Sequence, residues 1–167
     1  MGTGRIIAGA LRRVKRAGQV TVELLLVLPI FMLLLFFIME MGNLGFQTIL
    51  AHHCAYELAR IGSLVAGPSG DNASAKANKG FAVQKMKEVL KEMFPQSPGV
   101  NVDGELVETL KDPQSEQMSE DLEVTLTYPA RLIFPGSSYF LSDPPKGSKK
   151  KVLIVRVRMP VEKPYFK

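Results

Sequence analysis

The stretch RRVKRAGQVTVELLLVLPIFMLLLFFIMEMG, from Arg12 to Gly42, decides the fold of this chain. It consists of a basic cluster, a glycine, and a long apolar run with one glutamate, Glu23, near its beginning. The segment from Leu24 to Met39 carries no charge, and with the residues before Glu23 it reaches about the twenty that a membrane-spanning helix needs. The pattern therefore predicts a membrane helix, which we assign to residues 19–41.

Positive charge is concentrated ahead of this run. The chain has 21 Lys and Arg residues against 16 Asp and Glu residues, a formal net charge of +5. The basic residues that precede Gly18, where no acidic residue lies, are Arg5, Arg12, Arg13, Lys15 and Arg16. Removing these five from the 21 leaves 16 basic residues, equal to the 16 acidic ones. A nucleic-acid-binding protein would carry its basic patch on the folded domain, so we expect no nucleic acid among the partners.

The same charge distribution predicts the orientation of the span. Lys and Arg residues accumulate on the cytoplasmic side of a membrane helix, so residues 1–18 are expected in the cytoplasm and the chain after the span outside it. A cleaved secretory signal is the alternative, but such signals have a shorter apolar region and end in a small-x-small site. Glu40 and GNLGFQ follow the run here and supply no such site. We therefore favour a retained, single-pass anchor.

Helical periodicity continues beyond the membrane. Apolar residues recur every seven positions at Leu44, Ala51, Leu58 and Val65. This spacing predicts one long helix from about Val20 to Val65, with residues 42–66 as its continuation outside the membrane. The small residues along it are Ala51, Ala55, Ala59 and Gly62. They would let a neighbouring helix approach closely, or this face covers the protein's own domain, and the pattern favours neither interpretation.

Residues 67–167 are expected to form an extracytoplasmic domain. GPSGDNAS, residues 67–74, is a loop that ends the first helix, and Ser74 is a candidate N-cap for a second helix that stops at Pro95. The predicted apolar face of that helix contains Phe81, Ala82, Met86, Val89, Leu90 and Met93.

After Pro95 the apolar period changes to two. Two weakly apolar runs flank DGE, residues 103–105, which suggests a hairpin turn. DLEVTLTY, residues 121–128, and KVLIVRVRMP, residues 151–160, alternate apolar and polar residues as half-buried strands do. Residues 129–148 are too irregular to assign. The sequence therefore predicts an α+β fold in which a long N-terminal helix and a second helix pack on a small, mainly antiparallel sheet.

The chain offers few residues for chemistry. Cys54 is the only cysteine, so no intramolecular disulfide can form. His52 and His53 are adjacent and cannot share a metal as a pair spaced i, i+4 can. No phosphate-binding loop and no pairing of nucleophile with base is recognisable. We expect no catalytic residue, no cofactor, no metal site and no enzymatic activity.

The basic leader, Gly18, Glu23 as the fifth residue after it and the apolar helix together resemble the processing signal of type IV prepilins. More specifically, GQVTVELLLVLPIFMLLLFFIMEMGN is similar to the beginning of TadE-like proteins, the minor pseudopilins of tight-adherence (Flp) pilus systems. CAYELARIGSLVA, residues 54–66, resembles the continuation of their helix, and VRVRMPVE, residues 155–162, is loosely similar to their terminal strand.

This resemblance implies a function and a set of partners. A prepilin peptidase would cut after Gly18, so that Gln19 becomes the first residue of a pilin-like chain in the bacterial inner (cytoplasmic) membrane. The other implied partners are further pilins or pseudopilins, the inner-membrane pilus assembly platform and the lipid bilayer. The chain would help to initiate or prime pilus assembly. The alternative is a single-pass envelope protein whose extracytoplasmic domain binds a partner and never enters a filament.

Three residues of the span carry specific expectations. Gln19 and Glu23 are spaced i, i+4 and share one face of a helix, so cleavage would place the new amine near the Glu23 carboxylate. In the family the corresponding glutamate meets the N-terminal amine of a neighbouring subunit. Pro29 has no N–H and leaves the carbonyl of Leu25 without its helical donor, which predicts a kink; toleration of proline in a membrane helix is the simpler alternative.

Overall fold

The structure, a computed structural model, describes residues 3–67, 77–95, 99–111 and 118–161. In chain order the elements are α1 (Thr3–Val65), α2 (Lys79–Met93), β1 (Asn101–Lys111), β2 (Met118–Arg131), α3 (Ser137–Leu141), a 3-10 turn (Lys146–Ser148) and β3 (Lys150–Pro160). The strands form one antiparallel sheet in the order β1-β2-β3. The predicted α+β class, with a long helix, a second helix and a small antiparallel sheet, is confirmed.

Helix α1 contains 63 residues, which corresponds to a length of about 95 Å at the usual helical rise. It ends at Val65, as the periodicity predicts, but it begins at Thr3 and not near Val20. The leader contains three Ala and four Arg residues, which favour helix, and no proline, so its composition is compatible with a helix. All side chains from Gln19 to Leu34 are exposed, so this part of the helix is not buried by the protein's own domain.

The second half of α1 packs with α2 on one face of the sheet. Ala51, Ala55 and Ala59 are fully buried in this layer. A Cβ atom added at Gly62 would lie 2.7 Å from the Met86 side chain and 2.7 Å from that of Leu122. The small residues of α1 therefore allow helix α2 and the sheet to approach closely, which favours the interpretation that this face covers the protein's own domain.

Helix α2 begins one turn later than the sequence suggests. Asn78 is its N-cap, and the Asn78 side chain accepts a hydrogen bond of 3.2 Å from the backbone N–H of Phe81. Asparagine is among the preferred caps because its short side chain reaches the unpaired N–H groups of the first turn. The predicted cap, Ser74, lies outside the described residues. The end of α2 at Met93, before Pro95, is confirmed, and its buried residues are Ala82, Met86 and Leu90.

Strand β1 is continuous through residues 103–105, so the predicted hairpin at DGE is wrong. Gly104 pairs with Val124 of β2 and faces helix α2. A Cβ atom at this position would lie 3.1 Å from the Met86 side chain and 3.3 Å from that of Val83. A glycine inside a strand commonly marks such a close approach. Here it makes room for α2 and does not form a turn.

Strands β2 and β3 have the alternation that the sequence predicts. Leu122, Val124 and Leu126 are fully buried, and Arg156 and Arg158 of β3 are exposed. The segment between these strands extends β2 to Arg131 and then forms α3 and the 3-10 turn. The side chain of Asp143 holds this segment to β3, because it accepts hydrogen bonds from the Lys151 ammonium group and from the backbone N–H of Val152.

Candidate functional site

Gln19 and Glu23, two of the predicted site residues, are exposed on α1. The Gln19 side-chain amide donates a hydrogen bond of 3.1 Å to Oε1 of Glu23. The structure thus brings these two predicted residues together, as their i, i+4 spacing requires. In the intact chain the partner of Glu23 is a neutral amide and not an amine. This contact supplies a hydrogen bond to the carboxylate but no counter-charge.

Gly18 and Pro29 both lie within the continuous helix. Glycine costs about 1 kcal/mol relative to alanine in a helix interior, so the helix is locally weak at the bond between Gly18 and Gln19. Pro29 lacks an N–H and leaves the Leu25 carbonyl without a donor from within the helix. The kink at Pro29 stays a prediction. Pro29 follows Glu23 by six residues, about 1.7 helical turns, and does not share its site.

A second site, which the sequence did not reveal, surrounds Glu40 at the end of the apolar run. Glu40 is fully buried. Its carboxylate accepts hydrogen bonds from the backbone N–H of Ile133 at 3.1 Å and of Phe134 at 2.7 Å. The Ser137 hydroxyl donates at 2.8 Å and the Asn43 side-chain amide at 2.9 Å. A buried carboxylate is costly unless hydrogen bonds replace its water, and these four donors do so.

Two further side chains of α1 extend this site. Gln47 forms a pair of hydrogen bonds with the backbone of Arg131: it accepts from the N–H at 3.0 Å and donates to the carbonyl at 3.0 Å. Asn43 donates to the same carbonyl at 3.2 Å. We call Glu40, Asn43 and Gln47 the polar clasp. The clasp attaches the end of β2 and the residues that follow it to α1.

The clasp left a signal in the sequence. Its members are spaced i, i+3 and i+7, so they lie on one face of a helix, immediately after the uncharged run. Polar residues in that arrangement indicate a polar partner for that face. The sequence could not identify the partner, because Arg131 to Ser137 belong to a segment with no recognisable periodicity.

Apolar contacts lie directly beside the clasp. The rings of Phe36 and Phe134 are stacked, with centroids 6.2 Å apart and planes inclined by 19°. Beside this pair, Phe37 and Leu33, which is one turn nearer the N-terminus, line a narrow crevice together with Phe140 and the Pro135–Ser137 turn. The loop after β2 therefore reaches back along the apolar run of α1.

Metal ions need a set of several donor side chains. No group of three or more His, Cys, Asp and Glu side chains is close enough to hold a metal ion among residues 3–67, 77–95, 99–111 and 118–161. His52 and His53 are both exposed on α1. What the described residues do provide is a helix that is long and apolar enough to cross a membrane.

The match with known families falls on this helix. Residues 18–60 match the family of TadE-like proteins. The TadE-like segment begins at Gly18, includes Glu23, Pro29 and the polar clasp, and ends within the buried face of α1. The resemblance to TadE-like proteins is thereby confirmed over these residues, and it associates the chain with tight-adherence (Tad) pilus systems and with a membrane. Helix α2 and the sheet lie outside the match. No curated protein and no solved structure shows significant similarity to the chain.

Proposed function

We propose that the protein is a minor pseudopilin of a tight-adherence pilus, with a structural and non-catalytic role. A prepilin peptidase removes the basic leader after Gly18, and α1 then anchors the mature chain in the inner membrane with the α+β domain outside the cytoplasm. The protein assembles with other pilins or pseudopilins on the inner-membrane assembly platform and helps to initiate or prime the pilus.

One observation carries this proposal: the Gln19–Glu23 contact lies on an exposed, membrane-length surface at the start of the TadE-like segment. A carboxylate inside a membrane costs about 2.5 to 3.5 kcal/mol on insertion scales. Cleavage after Gly18 creates an amine on Gln19, one helical turn from Glu23. That amine, or the same amine of a neighbouring subunit, supplies a positive charge beside the Glu23 carboxylate.

Helical structure at the scissile bond bears on how the cut proceeds. A peptidase needs access to the peptide group, whereas residues 17–20 are helical in the intact chain. Gly18 lowers the cost of unwinding because it has the poorest helix propensity after proline. A bulky residue at this position would strengthen the helix and add a side chain next to the bond that is cut.

The direct test is N-terminal sequencing of protein recovered from membranes. The wild-type chain should begin at Gln19, and Gly18→Leu should keep its leader. Gly42→Leu is the matched control, because Gly42 is an exposed glycine of the same helix with no atom near its Cβ position, and its processing should be normal. An intact leader in the wild type, or normal cutting of Gly18→Leu, would contradict the proposed processing.

Orientation needs a separate test. Cys54 is buried and is the only cysteine, so Cys54→Ala combined with Ile154→Cys leaves one exposed thiol on β3. A membrane-impermeant maleimide should label this thiol in intact spheroplasts. Labelling only after lysis would place the domain in the cytoplasm and overturn the proposed topology. Purified pili that lack the protein would instead favour the single-pass envelope protein that never enters a filament.

A further inference from the structure

The segment from Leu132 to Leu141, which we call the juxtamembrane loop, lies beside the apolar run of α1. Phe134 stacks on Phe36, and Phe140 shares a crevice with Leu33 and Phe37. Leu33 is six residues before Met39, the last residue of the uncharged run. At the usual helical rise this separation is about 9 Å. The loop therefore extends alongside roughly the last two turns of the segment that would lie in hydrocarbon.

The outward surface of the juxtamembrane loop is apolar. The exposed fractions of Ile133, Tyr139 and Phe140 are 66%, 66% and 68%. Tyrosine and other aromatic residues that combine an apolar ring with a polar edge are enriched where membranes meet water. An apolar tip that continues the surface of a membrane-spanning helix indicates lipid as the surrounding medium.

Basic side chains lie beside this apolar tip. Lys146 places its ammonium group 4.8 Å from the centroid of the Tyr139 ring. Arg131, Lys149 and Lys150 are also exposed nearby in the chain, and Arg131 and Lys149 line one shallow depression with Ile133. Exposed apolar residues with Lys and Arg beside them are typical of elements that lie in the interfacial layer of a membrane.

Several backbone N–H groups of the loop form hydrogen bonds within the protein, as an environment poor in water requires. Unpaired N–H groups are costly in lipid, and here the groups nearest the span have acceptors. Ile133 and Phe134 donate to Glu40, Leu132 donates to the carbonyl of Lys149 at 2.9 Å, and Tyr139 donates to that of Gly136 at 3.2 Å. Glu40 of the polar clasp thus supplies acceptors for the N–H groups of Ile133 and Phe134, which lipid acyl chains could not provide.

We propose that the juxtamembrane loop is embedded in the membrane, in the leaflet at the C-terminal end of the span, with Ile133, Tyr139 and Phe140 at the boundary between head groups and acyl chains. This inference rests on the proposed membrane span of α1. The domain is then attached to the bilayer at two places, the helix and the loop, and the sheet is held at a fixed tilt above the surface.

Tryptophan fluorescence tests the proposal, because the chain contains no tryptophan. Full-length Phe140→Trp is reconstituted in vesicles of phosphatidylcholine and phosphatidylglycerol, with or without bromine in the upper part of the acyl chains. Ile154 on β3 has a similar exposed fraction, 63%, so Ile154→Trp is the matched control for a side chain that stays in water. Phe31→Trp, in the middle of the apolar run, is the control for the span.

We expect Phe140→Trp emission to be shifted to shorter wavelength and quenched by the brominated lipid, while Ile154→Trp is neither. If Phe31→Trp is quenched but Phe140→Trp is quenched no more than Ile154→Trp, the loop does not lie in the membrane. This result would overturn the proposal but not the membrane span. Absence of quenching for Phe31→Trp would overturn the span itself. A blue shift of Phe140→Trp that grows with the protein-to-lipid ratio, without lipid quenching, would identify a second copy as the contact and would also overturn the proposal.

Discussion

Glu40 and Phe134 are 94 residues apart in the chain, and the carboxylate of the first accepts a hydrogen bond of 2.7 Å from the backbone N–H of the second. This contact joins the end of the apolar run to the loop after β2. Because Glu40 also receives hydrogen bonds from Ile133 and Ser137, one side chain attaches three residues of the loop to a single point of α1.

Glu40→Ala should destabilise the domain and release the juxtamembrane loop. The substitution leaves the N–H groups of Ile133 and Phe134 without acceptors, and hydrogen bonds to a charged group are worth about 1.5 to 3 kcal/mol each. We expect the free energy of unfolding in detergent micelles to fall by about 3 kcal/mol. Hydrogen exchange at the amides of Ile133 and Phe134 should become markedly faster.

Glu108→Ala provides the comparison for this effect, since Glu108 is an exposed carboxylate on β1. It should change neither the unfolding free energy nor the two exchange rates beyond experimental error. Unchanged amide protection in Glu40→Ala would show that the loop is held by its apolar contacts alone.

Two glycines of α1 should respond to alanine in opposite directions. At Gly62 a Cβ would lie 2.7 Å from two buried side chains, and overpacking costs about 1 to 3 kcal/mol. A better helix propensity offsets about 1 kcal/mol of this, which leaves a net loss of about 1 kcal/mol. At Gly45 no atom lies within 4 Å, so only the propensity gain remains. Thermal unfolding of both variants checks the prediction, and two shifts of the same sign would refute it.

Asp143 should contribute stability that depends on pH. The hydrogen bond from Lys151, together with that from the N–H of Val152, lowers the pKa of the Asp143 carboxyl below its ordinary value. A carboxyl whose pKa is lower in the folded state stabilises it above the unfolded pKa, about 3.9, and this stabilisation is lost as the pH falls through the folded pKa.

The wild type should therefore be more stable than Asp143→Asn at neutral pH, and the difference should shrink below about pH 4. Denaturant unfolding at several pH values measures it. In the Lys151→Met variant the pKa of Asp143, followed by NMR, should rise toward the ordinary value. A stability difference that is independent of pH would contradict the linkage.

Glu23→Ala should separate processing from assembly. Membrane insertion should persist because the apolar run becomes less costly to bury, and cleavage after Gly18 should persist at least in part. Surface pili should be lost, since removing one partner of a buried ion pair costs about 3 to 5 kcal/mol. The measurements are leader removal by gel shift and pili by shearing or microscopy. Glu57→Ala, outside the apolar run on the same helix, serves as the control, and abundant pili in Glu23→Ala cells would exclude Glu23 as the assembly contact.

Periodicity predicted much of this fold because it reports which face of an element is buried. The end of α1 at Val65, the end of α2 before Pro95 and the alternation in β2 and β3 were all readable in this way. Gly104 was misread because a glycine next to an aspartate indicates a turn from local preferences alone, whereas its role depends on α2 packing above it. Local patterns also could not place Asn78 as the cap in preference to Ser74.

The site was only partly readable from the sequence. Gln19 and Glu23 were paired correctly because their contact is local, one turn along a single helix. Glu40 was missed because all its partners except Asn43 lie more than ninety residues away. Such partners are determined by tertiary packing of a segment that has no repeating pattern of its own.

Helix α1 passes without interruption from the apolar run into the face that packs on the sheet. A force along the helix axis is therefore carried by consecutive backbone hydrogen bonds straight into the domain core, with no slack tether that could stretch first. The polar clasp provides a second connection between α1 and the folded domain, in addition to the buried face of the helix. Extraction of the span from the bilayer would accordingly move α1 and the folded domain together as one rigid body.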